Sequence, residues 1–265
     1  MGKFNIQLHS LLIIPFENGH SRLGMAILCE KAKEIFREME FAMIIAGIQP
    51  NSFVDYPGRI AYVIFTPGCN FNCYYCHNRH ILHKQAVQYH NEYVLEEIQS
   101  RRKLIDGVVI SGGEPTLQRG LKEFITRLDG LPVKLDTNGT RPEVIEELIP
   151  LLDYIAMDIK APLEKYPSIT KVETDAEALQ ASIALIMKSG VQYEFRTTMV
   201  PELTPEDIGT IAQMIQGAQN YSIQQYVPVK GYAPAPDYAH SKEILLQAQR
   251  AAEGFVKKCK VKNAG

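Results

Sequence analysis

The 265-residue sequence lacks an excess of either charge, a long apolar run and an even set of cysteines. Its 28 basic and 30 acidic residues leave a formal net charge of −2, which argues against a chain that coats nucleic acid. No apolar stretch reaches the roughly 18 residues that a membrane span requires. Leu11 to Phe16 is apolar but short, and it has neither the basic start nor the small-residue cleavage site of a signal peptide. Five cysteines are an odd number and a poor basis for a disulfide framework. These absences predict a cytoplasmic protein with no membrane and no direct nucleic-acid partner. What is present is ordinary for a folded chain: 46% apolar and 22% charged residues, enough to bury a core.

Two regions differ in pattern. Residues 1–42 form an N-terminal extension in which Leu28, Ala32, Ile35, Phe36 and Met39 recur at helical spacing, so an amphipathic helix is expected there. No chemistry attaches to it. Residues 43–265 read as one domain in which β-branched runs alternate with amphipathic runs. Strands are expected over 61–66, 107–110, 132–135, 154–158, 191–198 and 222–227. Helices are expected near 92–102, 117–128, 142–152, 175–189 and 205–217, with a last one over 241–257. Pro142 and Pro205 suit helix starts, and Gly190 suits a helix end. Alternating strands and helices predict an α/β fold with a parallel sheet. Six units fall two short of a closed eightfold barrel, so a partial, open (β/α)6 barrel is the first expectation and a doubly wound sheet the second.

Three of the cysteines, Cys69, Cys73 and Cys76, form a C-x3-C-x2-C run just after the first of these strands. Thiolates are soft ligands that suit iron–sulfur clusters or zinc. Three thiolates can hold three corners of a [4Fe–4S] cube and leave the fourth iron open. Zinc needs four ligands, and His77, His80 and His83 lie near enough in sequence to supply some. Ser111-Gly112-Gly113-Glu114-Pro115 follows the second strand, where two glycines allow close backbone approach to a ligand, with N–H and C=O groups free to bond it. Asp136 follows the third strand, Asp158 and Lys160 end the fourth, and Arg196 lies near the end of the fifth. Ligands bind at the carboxyl ends of parallel strands, so these clusters should face one cavity. A zwitterionic amino-acid group suits its charges. Taken singly, each residue also has a plain reading: Asp136 as a turn cap, Lys160 as a solvated surface residue, Arg196 as half of an ion pair.

The cysteine run, with the aromatic Tyr75 before its third cysteine and Gly112-Gly113-Glu114-Pro115 downstream, resembles the radical S-adenosylmethionine (SAM) superfamily. Residues 52–58 (SFVDYPG), Cys76-His77-Asn78 and Asp158-Ile159-Lys160 are similar to activating enzymes of glycyl-radical enzymes, most of all to the anaerobic ribonucleoside-triphosphate reductase activating proteins. The resemblance spans about residues 43–238. It implies that Cys69, Cys73 and Cys76 ligate one [4Fe–4S] cluster, through which they serve catalysis. It implies that Gly112, Gly113 and Glu114 hold the amino group of SAM. Asp158, Lys160 and Arg196 would help hold its carboxylate and ribose, Asp136 would be a further cofactor-binding residue, and Tyr75 and His77 would lie near the adenine. The implied reaction is reductive cleavage of SAM to a 5′-deoxyadenosyl radical, which takes a hydrogen atom from a glycine of the partner enzyme. Flavodoxin or ferredoxin would supply the electron. A pyruvate formate-lyase type partner and a small-molecule substrate are the alternatives, and a zinc-stabilised binding module is the rival of a different class. Cys29 and Cys259 stand apart from this set. No cysteine lies between Cys76 and Gly107, so one cluster is expected.

Overall fold

The computed structural model describes residues 42–82, 88–229 and 236–262. The helix expected within 1–42, Cys29 and His83 fall outside them. From Ala42 onward the chain forms one compact unit. Its strands are β1 (Gly47–Tyr56), β2 (Arg59–Thr66), β3 (Gly107–Gly112), β4 (Val133–Thr137), β5 (Tyr154–Asp158), β6 (Gln192–Met199), β7 (Tyr221–Gln225) and β8 (Cys259–Lys262). They form one eight-stranded sheet in sequence order. β1 and β2 pair antiparallel, and every later pair is parallel. Helices α1 (Asn91–Ser100), α2 (Leu121–Thr126), α3 (Pro142–Leu148), α4 (Tyr166–Thr170), α5 (Ala176–Lys188), α6 (Pro205–Met214) and α7 (Lys242–Glu253) lie between and around them.

The six expected strands are β2 to β7, and together they make the open parallel barrel wall. Two strands were not expected. β1 carries Pro50 and shifts register between Gln49 and Ser52 and again between Ser52 and Tyr56, so it lacks the even alternation that marks a strand. β8 has only four residues, two of them lysine. The helices end where local chemistry ends them. Asp175 caps α5 by accepting from the N–H groups of Glu177 and Ala178. Thr204 and Asp207 form a reciprocal capping box at α6, with Pro205 at its first position. Several helices are shorter than their apolar periodicity suggests, because the last turns run into 3₁₀ or irregular backbone, as at Ile149–Leu151 after α3.

The strand period of two divides the sheet into unlike faces. Ile64, Ile110, Leu135, Ile155 and Phe195 are fully buried in one apolar cluster with Ile98 of α1, Phe124 of α2, Ile145 of α3, Ile186 of α5 and Ile211 of α6. The inner face holds a small apolar group of Tyr56, Ala61, Val63, Val109, Tyr154 and Ala156 near β2, β3 and β5. Beyond it the inner residues of β4 to β6 are charged: Lys134, Asp136, Asp158, Glu194 and Arg196.

Candidate functional site

Every site residue expected from the sequence lines one cavity of about 440 Å³ at the carboxyl ends of the strands: Cys69, Cys73, Tyr75, Cys76, His77, Gly112, Gly113, Glu114, Asp136, Asp158, Lys160 and Arg196. The cysteine loop follows β2 and is tied down from three sides. The Asn72 N–H donates to the Thr170 carbonyl at 2.9 Å, the Arg79 guanidinium donates to the Cys73 carbonyl at 3.0 Å, and the Tyr74 hydroxyl donates to Glu202. Burial pushes the Cys69 thiol up to about 11 and raises the Cys73 thiol as well. Both are therefore thiols until a cation displaces the proton. Among the described residues, no three His, Cys, Asp or Glu side chains converge on a point where one metal ion would sit. A cube with one iron per thiolate has no need of such convergence.

The two glycines at the end of β3 pack closely against the cysteine loop. Gly112 has φ +121°, and an added Cβ would lie 2.3 Å from the Thr66 nitrogen. At Gly113 an added Cβ would lie 1.7 Å from the Gly68 carbonyl oxygen. The Gly113 N–H donates to the Thr66 carbonyl and the Glu114 N–H to the Gly68 carbonyl, both at 2.8 Å. The Gly112 carbonyl accepts from Asn78 Nδ2 at 3.2 Å. These groups are engaged within the protein, where the glycines let the β3 end press against the start of the cysteine loop, while the Gly113 carbonyl meets no donor among the described residues.

Glu114 is buried, 1% exposed, and receives four donors. Its Oε1 accepts from the Thr116 N–H (3.1 Å), the Thr116 hydroxyl (2.6 Å) and the Thr137 hydroxyl (2.8 Å), and its Oε2 accepts from the Asn138 N–H (2.6 Å). Burial raises its pKa, and these bonds work against that rise. The residue fastens the ends of β3 and β4 together, and Oε2 retains one acceptor position for a ligand.

Asp136, Asp158, Lys160 and Arg196 form a connected chain. Asp158 and Arg196 are register partners on β5 and β6, with Arg196 Nε 2.7 Å from Asp158 Oδ1. Arg196 also reaches Asp136 at 3.4 Å, and Lys160 Nζ donates to Asp158 Oδ2 at 3.0 Å. Burial is the largest influence and opposes ionisation of both aspartates, yet Arg196 together with Lys134 at Asp136 and with Lys160 at Asp158 outweighs it and holds both below the usual carboxylate range. Burial likewise opposes the charge on Lys160, and Asp158 with Tyr75 and Cys73 more than restores it.

Sequence reasoning missed Lys134. It is 1% exposed, pairs with Asp136 and sits 5.9 Å from the Tyr154 ring centroid. Its position two residues before Asp136, on the same face of a strand, was the available signal. Lys134, Asp136, Arg196, Asp158 and Lys160 alternate in sign and leave one positive charge over. That excess suits a carboxylate. Asn138, in the cluster that follows the third expected strand, had no role of its own in the sequence: its Nδ2 bonds Asn70 at 2.8 Å and approaches Cys69 Sγ at 3.9 Å. The buried Tyr75 hydroxyl lies against the Cys73 thiol and bonds no protein oxygen or nitrogen, and Lys160 Nζ stands 5.9 Å from its ring centroid. A buried hydroxyl beside three thiols and an excess cation fits a site built around a cluster and a zwitterionic cofactor. His77 is exposed, and Cys259 is half-buried on β8, away from the cavity.

The profile of the radical SAM superfamily matches residues 63–215. The chain is 41% identical over 203 residues to a protein of Methanocaldococcus jannaschii that carries a provisional name as a glycyl-radical enzyme activating enzyme, covering 71% of this chain and 82% of that one. It is 28% identical over 195 residues to the pyruvate formate-lyase-activating enzyme of Clostridium pasteurianum, covering 69% of this chain and 81% of that one. The crystal structure of Streptococcus suis SuiB bound to S-adenosylmethionine shares the fold with a TM-score of 0.62, at 11% identity, over 94% of this chain and 58% of that one. The zinc-module alternative gives way to this finding. The chain belongs to the radical SAM superfamily, among the activating enzymes of glycyl-radical enzymes, a membership that implies a [4Fe–4S] cluster and SAM.

Proposed function

We propose that this protein cleaves SAM reductively and installs a glycyl radical on an anaerobic ribonucleoside-triphosphate reductase, with 43–265 as the catalytic domain and the cytoplasm as its setting. The observation that carries the radical chemistry is the single cavity that joins the three thiols, the buried Tyr75 hydroxyl and the alternating charge chain. Cys69, Cys73 and Cys76 hold one [4Fe–4S] cluster, and the cluster, when bound, supplies the electron that splits SAM into methionine and a 5′-deoxyadenosyl radical. The chain's own residues bind and orient. Lys160 and Arg196 meet the carboxylate of SAM, each held in place by Asp158. Glu114 Oε2 offers its remaining acceptor to the amino group. Tyr75 and His77 flank the adenine. The cleaved SAM would accept one hydrogen atom from the partner's glycine, leaving 5′-deoxyadenosine and the glycyl radical.

The choice of partner rests on the resemblance carried by residues 52–58, Cys76-His77-Asn78 and Asp158-Ile159-Lys160. Similarity to pyruvate formate-lyase-activating enzymes favours that lyase as the second reading. The deciding experiment mixes reconstituted protein, SAM and a flavodoxin or ferredoxin with each candidate partner under anaerobic conditions. A glycyl-radical doublet in the paramagnetic resonance spectrum, matched by 5′-deoxyadenosine, is expected with the reductase. A doublet only with the lyase moves the assignment to the second reading. 5′-Deoxyadenosine without either doublet points to a small-molecule substrate.

A further inference from the structure

A second cavity, of about 600 Å³, opens at the amino ends of β5 to β8, the end of the barrel opposite the cysteine loop. None of the residues assigned above lines it. Lys258, Lys260 and Lys262 all do. Lys260 and Lys262 sit beside Ser222 and Gln224 in the β7–β8 register, on the inner face. Lys262 is already paired: its Nζ lies 2.7 Å from Glu194 Oε2, which also accepts from the Ser222 hydroxyl at 2.8 Å. Lys258 and Lys260 are exposed and have no carboxylate partner among the described residues. Three lysines against one glutamate leave two positive charges in a concave space of nucleotide size.

We propose that this cavity binds the polyphosphate chain of a small molecule. Lysine meets phosphate as a flexible point charge with three donors. Alternate residues of a strand stand about 7 Å apart, a spacing from which the flexible stems of Lys258 and Lys260 can meet successive phosphates of a chain. Edge protection explains why lysine occurs on β8 at all. It does not explain why three lysines share the cavity side while Lys257, the neighbouring lysine, does not line it. The floor between the two cavities lies on β6, where Glu194 faces the lower one and Arg196 the upper one, two residues apart. The proposal is independent of which enzyme the protein activates.

The test uses the full chain with its cluster assembled anaerobically and saturated with SAM. Inorganic tripolyphosphate and, separately, ATP without divalent cations are titrated calorimetrically at low and high salt. Saturable binding of tripolyphosphate is expected, weakening as salt rises. It should be about tenfold weaker in Lys258→Ala/Lys260→Ala and unchanged in Lys257→Ala. Equal affinity for ATP makes the phosphate chain the whole ligand, and tighter ATP binding adds the nucleoside end. Both outcomes support the site. No binding, equal affinity in the double variant, or an equal loss in Lys257→Ala overturns it and leaves the lysines as edge protection.

Discussion

On the helix-covered face of the sheet, Ile64, Ile110, Leu135, Ile155 and Phe195 are fully buried among other apolar side chains. One position along the same strands, on the inner face, stand Lys134, Asp136, Asp158, Glu194 and Arg196. The contrast shows how one sheet serves two purposes. Apolar burial is non-directional and scales with area, so the outer face fixes the fold without fixing any single contact. A buried charge is tolerated only with a partner at bonding distance, so the inner face fixes positions. Stability and ligand geometry are thus carried by alternate residues of the same strands.

Substitutions that strike one face and spare the other break this comparison most directly. The largest effect is expected at Cys73→Ala, where loss of one cube corner should abolish both the cluster and SAM cleavage. Iron analysis near four per chain together with retained cleavage in that variant would refute the ligand assignment. Ile155→Ala, on the outer face, should cost about 4 kcal/mol of stability and leave the SAM dissociation constant of the folded fraction unchanged. Urea unfolding and calorimetric titration check the two halves, and a shift in SAM affinity would show that the faces are not separable. Gly113→Ala should cost about 3 kcal/mol, because its Cβ would meet the Gly68 carbonyl oxygen. A melting temperature equal to that of the parent would mean the cysteine loop yields freely.

Lys160→Ala belongs to the inner face. It should keep the cluster and weaken SAM binding about tenfold, near 1.4 kcal/mol. Unchanged affinity would place the Lys160 ammonium outside the carboxylate site. The smallest expected effect is on the acid limb of the stability curve. Asp136 and Asp158 are held below their ordinary values in the folded protein. Their contribution is therefore fully present above about pH 4, near the value for an unfolded aspartate, and is lost as pH falls toward the lower folded value. Denaturant unfolding between pH 5 and pH 3 should lose stability more steeply in the parent than in Asp158→Asn, and equal slopes would remove Asp158 from the account.

Much of the wall was legible because β2 to β7 carry compact β-branched or apolar runs between helical periods, as in Val108-Val109-Ile110 and Ile155-Ala156-Met157. β1 hides its pairing behind Pro50 and two register shifts, and β8 is too short to show a period. The site residues were legible as a set because each followed a strand in sequence, and the carboxyl ends of parallel strands share one side. Their contacts were not. Nothing in Gly112-Gly113 announces that the carbonyl of Gly68 lies against them, and nothing around Lys134 except its spacing announces a buried cation.

The sequence by itself determined the alternation of strand and helix, the C-x3-C-x2-C loop and the roster of charged residues that follow successive strands. These follow from local periodicity and covalent spacing, which need no knowledge of distant neighbours. Only the tertiary structure decided that the glycines serve the packing of the cysteine loop, that Glu114 fastens β3 to β4, and that the charges of β4 to β6 alternate in space. Those facts depend on which strands lie side by side and in what register, and register is set by the burial of whole faces.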